Sequence, residues 1–110
     1  MGLFKELFIK QPNYMGQTLF EKDIATVSNA INQHMTSWKG LNMQQVKNIA
    51  MGFNVILEYH NPRNGYCVSY SLSNAGQNQT QATINIRGSG TNAEENFKAL
   101  VSIINKKING

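Results

Sequence analysis

The sequence predicts an α+β domain in which a three-stranded antiparallel sheet carries helices on one face. Apolar residues recur at helical spacing in the first half of the chain and at its end, whereas residues 53–87 alternate between apolar and polar side chains. Such alternation is typical of strands with one buried and one solvated face. The predicted order is α-α-α-β-β-β-α. We expect a single domain over residues 1–110, with a short amphipathic segment at 1–12 and the core at 18–110.

Three helices are predicted before the sheet. The first is the amphipathic segment, whose apolar stripe is formed by Leu3, Phe4, Leu7 and Phe8. The second begins with a capping box from Thr18 to Glu21 and ends near Gly40. Its apolar positions, three or four residues apart, are Phe20, Ile24, Val27, Ile31, Met35 and Trp38. The third begins at Asn42, and its apolar face is Val46, Ile49, Ala50 and Phe53, with Gly52 placed to end it.

The three predicted strands follow from residue 53. Asn64-Gly65 is a strong signal for a two-residue hairpin loop, and that loop would place His60 opposite Ser69. The tyrosines at 59, 66 and 70 alternate inward with the apolar residues. The outer face is therefore polar and nearly neutral: Asn54, Ile56, Glu58, His60, Cys67, Ser69, Ser71, Ser73, Gln81, Thr83, Asn85 and Arg87.

The last predicted helix runs from Thr91 to Asn109. Thr91 and Glu94 form a capping box. Acidic residues in the first turn and Lys106 and Lys107 in the last turn match the helix dipole at both ends.

Charge is low for a chain of 110 residues. Charged residues make up 15%, the formal net charge is +4, and 15 Asn and 8 Gln supply much of the polarity. No apolar run approaches the roughly 20 residues that span a bilayer. One cysteine needs no oxidising compartment, so we expect a cytoplasmic protein, and the asparagine excess suits a bacterial or phage genome.

Two groups of residues are candidate binding sites. The junction between the last strand and the last helix, together with basic residues near it, suits an anion or a nucleic-acid backbone; this group is Arg63, Arg87, Gly88, Ser89, Gly90 and Lys98. The low-charge outer face suits a protein partner or a homodimer; this group is Ile56, Ser69, Ser71, Thr83 and Asn85.

Residues for catalysis are few. The chain has two histidines, and we expect His34 to pack within its helix. With His60 opposite Ser69, Cys67 lies diagonal to His60 and no third group orients the pair. We therefore expect no catalytic, cofactor or metal site and no enzymatic activity.

The order helix, three antiparallel strands, helix resembles the double-stranded RNA-binding domain over residues 18–109. Gly88-Ser89-Gly90-Thr91 is similar to that family's glycine-rich turn, and the His60–Gly65 loop lies where that family has its groove-entering loop. The resemblance implies phosphate contacts at both places. The family's lysine cluster at the helix start is replaced here by Asn92-Ala93-Glu94-Glu95-Asn96.

Two functions are expected from these observations. The first is a small non-catalytic module that binds a protein, an adaptor or inhibitor of the kind that phages and mobile elements encode. The alternative is a nucleic-acid-binding protein that contacts phosphates through the hairpin tip and the glycine-rich turn. The scattered basic residues favour the first.

Overall fold

A five-stranded antiparallel sheet with two helices on one face forms the fold. The computed structural model describes residues 13–38, 42–63, 65–88 and 92–110. The elements are β1 (Tyr14–Phe20), α1 (Ile24–Met35), β2 (Gln44–Met51), β3 (Asn54–His60), β4 (Cys67–Gly76), β5 (Gln79–Arg87) and α2 (Ala93–Asn109). The strands lie in the order β1-β5-β4-β3-β2. The α+β class and the antiparallel sheet are confirmed, but the sheet has five strands rather than three. Of the two helices predicted over residues 18–53, only Ile24–Met35 is α-helical in the described part of the chain.

The core lies between the helices and the inner face of the sheet. Strands β3, β4 and β5 alternate as predicted, and their buried inward residues are Leu57, Tyr59, Val68, Tyr70, Leu72, Ala82, Ile84 and Ile86. The helices contribute Val27, Ile31, Met35, Leu100 and Ile104 to the same cluster. Inside this core the Trp38 indole donates to the Tyr66 hydroxyl at 2.9 Å. His34 is buried, as expected, with its ring edge-on to Trp38.

The first three residues of the predicted second helix, 18–20, belong instead to the edge strand β1, and its apolar positions from Ile24 to Met35 lie in α1. Thr18 pairs with Ala82 of β5, so it does not cap a helix. The cap of α1 is Asp23, whose carboxylate accepts hydrogen bonds from the backbone N–H of Thr26 at 3.2 Å and from its hydroxyl at 2.7 Å. Phe20, which fits the helical spacing, is the buried last residue of β1.

The predicted third helix is the edge strand β2. All eight of its residues are exposed, and a strand without a buried face has no reason to alternate in sequence. Gly52, with φ +58°, does not end a helix. It forms a two-residue hairpin turn with Phe53, because Met51 pairs with Asn54. The Gln45 amide ties β2 to α1 by donating to the Asn32 side chain at 2.7 Å.

The connection from β3 to β4 is longer than the predicted two residues. The Asn61 N–H donates to the Tyr66 carbonyl at 2.8 Å, and the Gly65 N–H donates to the Asn61 carbonyl at 3.0 Å. The buried Asn61 side chain accepts from the Arg63 N–H at 2.9 Å. This closes a four-residue loop and pairs His60 with Cys67 rather than with Ser69.

The bounds of helix α2 are close to those of the predicted last helix, Thr91 to Asn109. Its N-cap is Asn92, whose side chain accepts from the Glu94 N–H at 3.1 Å, and Lys106 and Lys107 lie in its last turn. The predicted cap residue Thr91 and the amphipathic segment at residues 1–12 lie outside the described residues. Four strands, not three, separate the two helices, so the double-stranded RNA-binding element order is not present.

Candidate functional site

The predicted protein-interaction residues lie side by side on the face of the sheet that points away from the helices, here called the outer face. Ser71 on β4 lies between Ile56 on β3 and Thr83 on β5. Two residues before Ser71 on β4, Ser69 lies beside Asn85 of β5. Ser71 is exposed and the others are half-buried. The centre of the outer face therefore consists mainly of small, uncharged side chains.

Exposed apolar side chains flank this polar centre on the two edge strands. Met15 and Leu19 of β1 are 65% and 44% exposed, and Ile49 and Met51 of β2 are 42% and 55% exposed. Ile49 pairs directly with Ile56. Sequence reasoning missed this arrangement because β2 and the end of β1 were interpreted as helices. On the β2 side, Ile49 and Met51 lie next to Ile56, and contiguous exposed apolar side chains often mark a contact surface.

A polar cluster occupies the end of the outer face where β3 ends and β4 begins. The His60 Nε2 atom lies 2.7 Å from Glu58 Oε2, and the Ser69 hydroxyl donates to Glu58 Oε1 at 3.2 Å. Arg87 Nη2 donates to Cys67 Sγ at 3.4 Å. We call Glu58, His60 and Cys67 the donor cluster, because their ligand-type atoms all lie within 4.8 Å of one another.

Electrostatics favour the charged forms of groups around the donor cluster. Burial by itself raises the pKa of the Glu58 carboxyl, but hydrogen bonds from His60 and Ser69, with the charge of Lys47, lower it overall. The Lys47 Nζ atom is 3.9 Å from Glu58 Oε1. The hydrogen bond to Cys67 raises the pKa of Arg87. Because its pKa is lowered, the Glu58 side chain is a charged carboxylate at neutral pH.

Sequence reasoning missed the donor cluster because it predicted a different register for the β3–β4 hairpin. The two-residue loop expected at Asn64-Gly65 placed Cys67 diagonal to His60, whereas the observed register places them directly opposite. A shift of two residues leaves inward and outward faces unchanged and alters only the cross-strand neighbours. The Glu58-x-His60 spacing was a usable signal, because residues two apart in a strand share a face.

The predicted anion-binding residues are only partly brought together. A Cβ built on Gly88 would lie 2.9 Å from the Gly65 carbonyl oxygen, so the turn after β5 lies against the loop that carries Arg63. Arg87 lies beside this turn. Lys98, in contrast, lies on α2 in the helical layer, with its Nζ 3.7 Å from Glu94. Ser89 and Gly90 lie outside the described residues.

Comparison with known proteins assigns no family. In the part of the chain that the structure describes, neither helix is long and apolar enough to cross a membrane. No protein-family model matches this sequence, and no curated protein does.

Proposed function

We propose that this chain is a small non-catalytic module that binds another protein through the outer face and the free edge of β2. The observation that supports this is the exposure of all eight residues of β2, with Ile49 and Met51 next to Ile56. Proteins usually shield such edges because unpaired strand backbone readily pairs with other chains. An apolar edge left exposed is suited to partner binding by strand addition.

The backbone of β2 is arranged to accept a further strand. In a hairpin closed by a two-residue turn, the closing pair, here Met51 and Asn54, exchanges both hydrogen bonds. The residues that alternate with that pattern, Asn48 and Ala50, then direct their N–H and C=O groups to the free edge. The bulge between Gln45 and Lys47 limits the regular edge to residues 47–51.

The side chains of β2 define the chemistry of the partner. Ile49 and Met51 favour an extended segment with apolar residues at alternate positions. Lys47 is 53% exposed and only loosely paired with Glu58, so an acidic residue in the partner segment has a cation to meet. The proposed partner is therefore an extended, alternately apolar segment that carries an acidic residue.

A proline at position 50 tests this function. Ala50→Pro removes an edge N–H without removing a bond to β3. We expect an array of eight-residue peptides of the stated pattern to bind the wild-type protein and not this variant. Amide exchange at Asn48 and Ala50 should slow when such a peptide binds.

Ile24→Pro is the matched control, because Ile24 is the first helical residue of α1 and follows the extended Asp23, which is where proline is tolerated. It should bind like wild type, and thermal unfolding verifies that both variants fold. Equal binding by wild type and a folded Ala50→Pro would refute the proposal, as would the absence of any bound peptide.

Nucleic-acid binding is the second candidate. It is supported by the contact between Gly88 and the loop bearing Arg63, which gathers Arg63 and Arg87 at one end of the sheet. Binding of duplex RNA or DNA should then fall steeply with salt and be lost in the double variant Arg63→Gln/Arg87→Gln, while Lys106→Gln has little effect. No retention of either duplex at about 50 mM salt excludes this candidate.

A further inference from the structure

The donor cluster offers three different ligand atoms at one point of the outer face: a carboxylate oxygen, an imidazole nitrogen and a thiol sulfur. We propose that Glu58, His60 and Cys67 bind a divalent transition-metal ion of borderline softness, with Zn²⁺ as the type ion. The proposal is independent of partner binding at β2. It replaces the expectation, drawn from the sequence, that the chain has no metal site.

Strand geometry holds these three side chains together. Glu58 and His60 are two residues apart on β3 and so share a face, and Cys67 is the direct partner of His60 on β4. Two hydrogen-bonded strands fix the backbone positions, so the ligands are placed before any ion arrives. Only side-chain rotamers have to adjust.

The separations suit one ion. Zn–S bonds of about 2.3 Å and Zn–N and Zn–O bonds of about 2.0–2.2 Å place tetrahedral ligand atoms roughly 3–4 Å apart. The three atoms lie within 4.8 Å, and the pair formed by His60 Nε2 and Glu58 Oε2 is 2.7 Å apart. In the metal-bound form the ion lies between that pair, and the neutral imidazole offers its Nε2 lone pair and carries its proton on Nδ1. The Cys67 thiol releases its proton to solvent as the metal–sulfur bond forms.

Neighbouring groups orient the ligands. Ser69 donates to Oε1 of Glu58, which leaves Oε2 for the ion, and Arg87 donates to Cys67 Sγ, which orients the sulfur. The thiolate and carboxylate together neutralise a divalent charge. Lys47 and Arg87 repel an incoming cation, so we expect weaker binding than at sites built from several thiolates.

The ligand set also selects the class of ion. Mg²⁺ and Ca²⁺ take oxygen ligands, whereas sulfur and imidazole nitrogen suit zinc and cobalt. Three protein ligands leave a fourth position for water. The His60 side chain is 43% exposed and that of Glu58 is 16% exposed, so one side of the cluster is open to solvent.

Cobalt(II) chloride is the direct probe of the site. Added to the reduced full-length protein, it should produce a thiolate-to-cobalt charge-transfer band in the near ultraviolet and the strong visible bands of a four-coordinate ion. Zinc chloride should displace it with one-to-one stoichiometry by calorimetry. We expect Cys67→Ser to abolish the charge-transfer band. Glu58→Gln and His60→Gln should each weaken zinc binding by at least about tenfold, and Ser69→Ala by about tenfold.

Glu95→Gln, on the exposed surface of α2, is the matched control and should leave zinc affinity unchanged. Circular dichroism establishes that each variant folds. If Cys67→Ser does not fold, the wild-type charge-transfer band and the two other ligand variants decide the matter. The proposal is overturned if cobalt gives no thiolate band, or if Glu58→Gln and His60→Gln both bind zinc as tightly as wild type.

Discussion

Two isoleucines on opposite faces of the sheet provide a quantitative test of the fold. Ile84 is fully buried at the centre of β5, whereas Ile49 on β2 is 42% exposed. Ile84→Ala removes about three carbons, which at about 0.8 kcal/mol each costs about 2.4 kcal/mol in transfer free energy. A residual cavity of roughly 60 Å³ adds about 1.5 kcal/mol. The free energy of unfolding should therefore fall by about 4 kcal/mol, against less than about 1 kcal/mol for Ile49→Ala.

Urea unfolding followed by circular dichroism measures both changes, provided that the dependence on denaturant is the same in each variant. The Ile84 variant should also melt roughly 15 °C below wild type. A neutral Ile84→Ala would show that the inward assignment of β5 is wrong. A cost above about 2 kcal/mol for Ile49→Ala would show that β2 is covered in solution.

Three further changes test local features. Asn92→Ala removes the cap of α2 and should lower the free energy of unfolding by about 1 kcal/mol; no change in urea unfolding would place the cap elsewhere. Burial, reinforced by the charge of Lys107, lowers the pKa of His34, so the unfolded chain binds that proton more readily. Stability should be full above the unfolded pKa of about 6.5 and fall as pH drops below it, and His34→Gln should flatten this part of the pH profile. Gly88→Ala should cost more than Gly65→Ala in thermal unfolding. Both glycines have positive φ, but only at Gly88 would the added Cβ meet a carbonyl oxygen, at 2.9 Å; equal melting temperatures would contradict that contact.

Strands β3, β4 and β5 could be predicted because each has one buried face, and burial on one face imposes alternation on the sequence. The same physics accounts for α2, whose apolar stripe faces the sheet. Tyr59 and Tyr70, for example, were placed inward correctly and are almost fully buried.

The edge strands were predicted wrongly for different physical reasons. β2 has no buried face, so Val46, Ile49 and Ala50 fell by chance at helical spacing. In β1 the Thr18–Glu21 pattern matched a helix start, but pairing with β5 outweighed that local preference. Asp23, the actual cap, lies five residues after the cap that this pattern indicated.

Sequence reasoning placed candidate-site residues next to one another correctly only where it had assigned the strands and their register correctly. The outer-face residues Ile56, Ser71 and Thr83 were adjacent as expected, because their strands were correct. The donor cluster was missed because the hairpin loop was taken to be two residues long. The side chain of Asn61, which accepts the Arg63 N–H and helps to close the longer loop, gave no recognisable pattern in the sequence.

The loop between β3 and β4 sets which side chains meet on the outer face, but it does not decide which side chains face the core. If the same residues instead formed a two-residue turn at Asn64-Gly65, β3 would slide against β4 by one full pleat repeat, so every core side chain would still face the helices. His60 would then lie opposite Ser69, and the three ligand-type side chains would no longer meet. A lineage could thus lose or acquire the cluster through substitutions that change which turn forms at the Asn61 loop, with little change in the selection acting on its core.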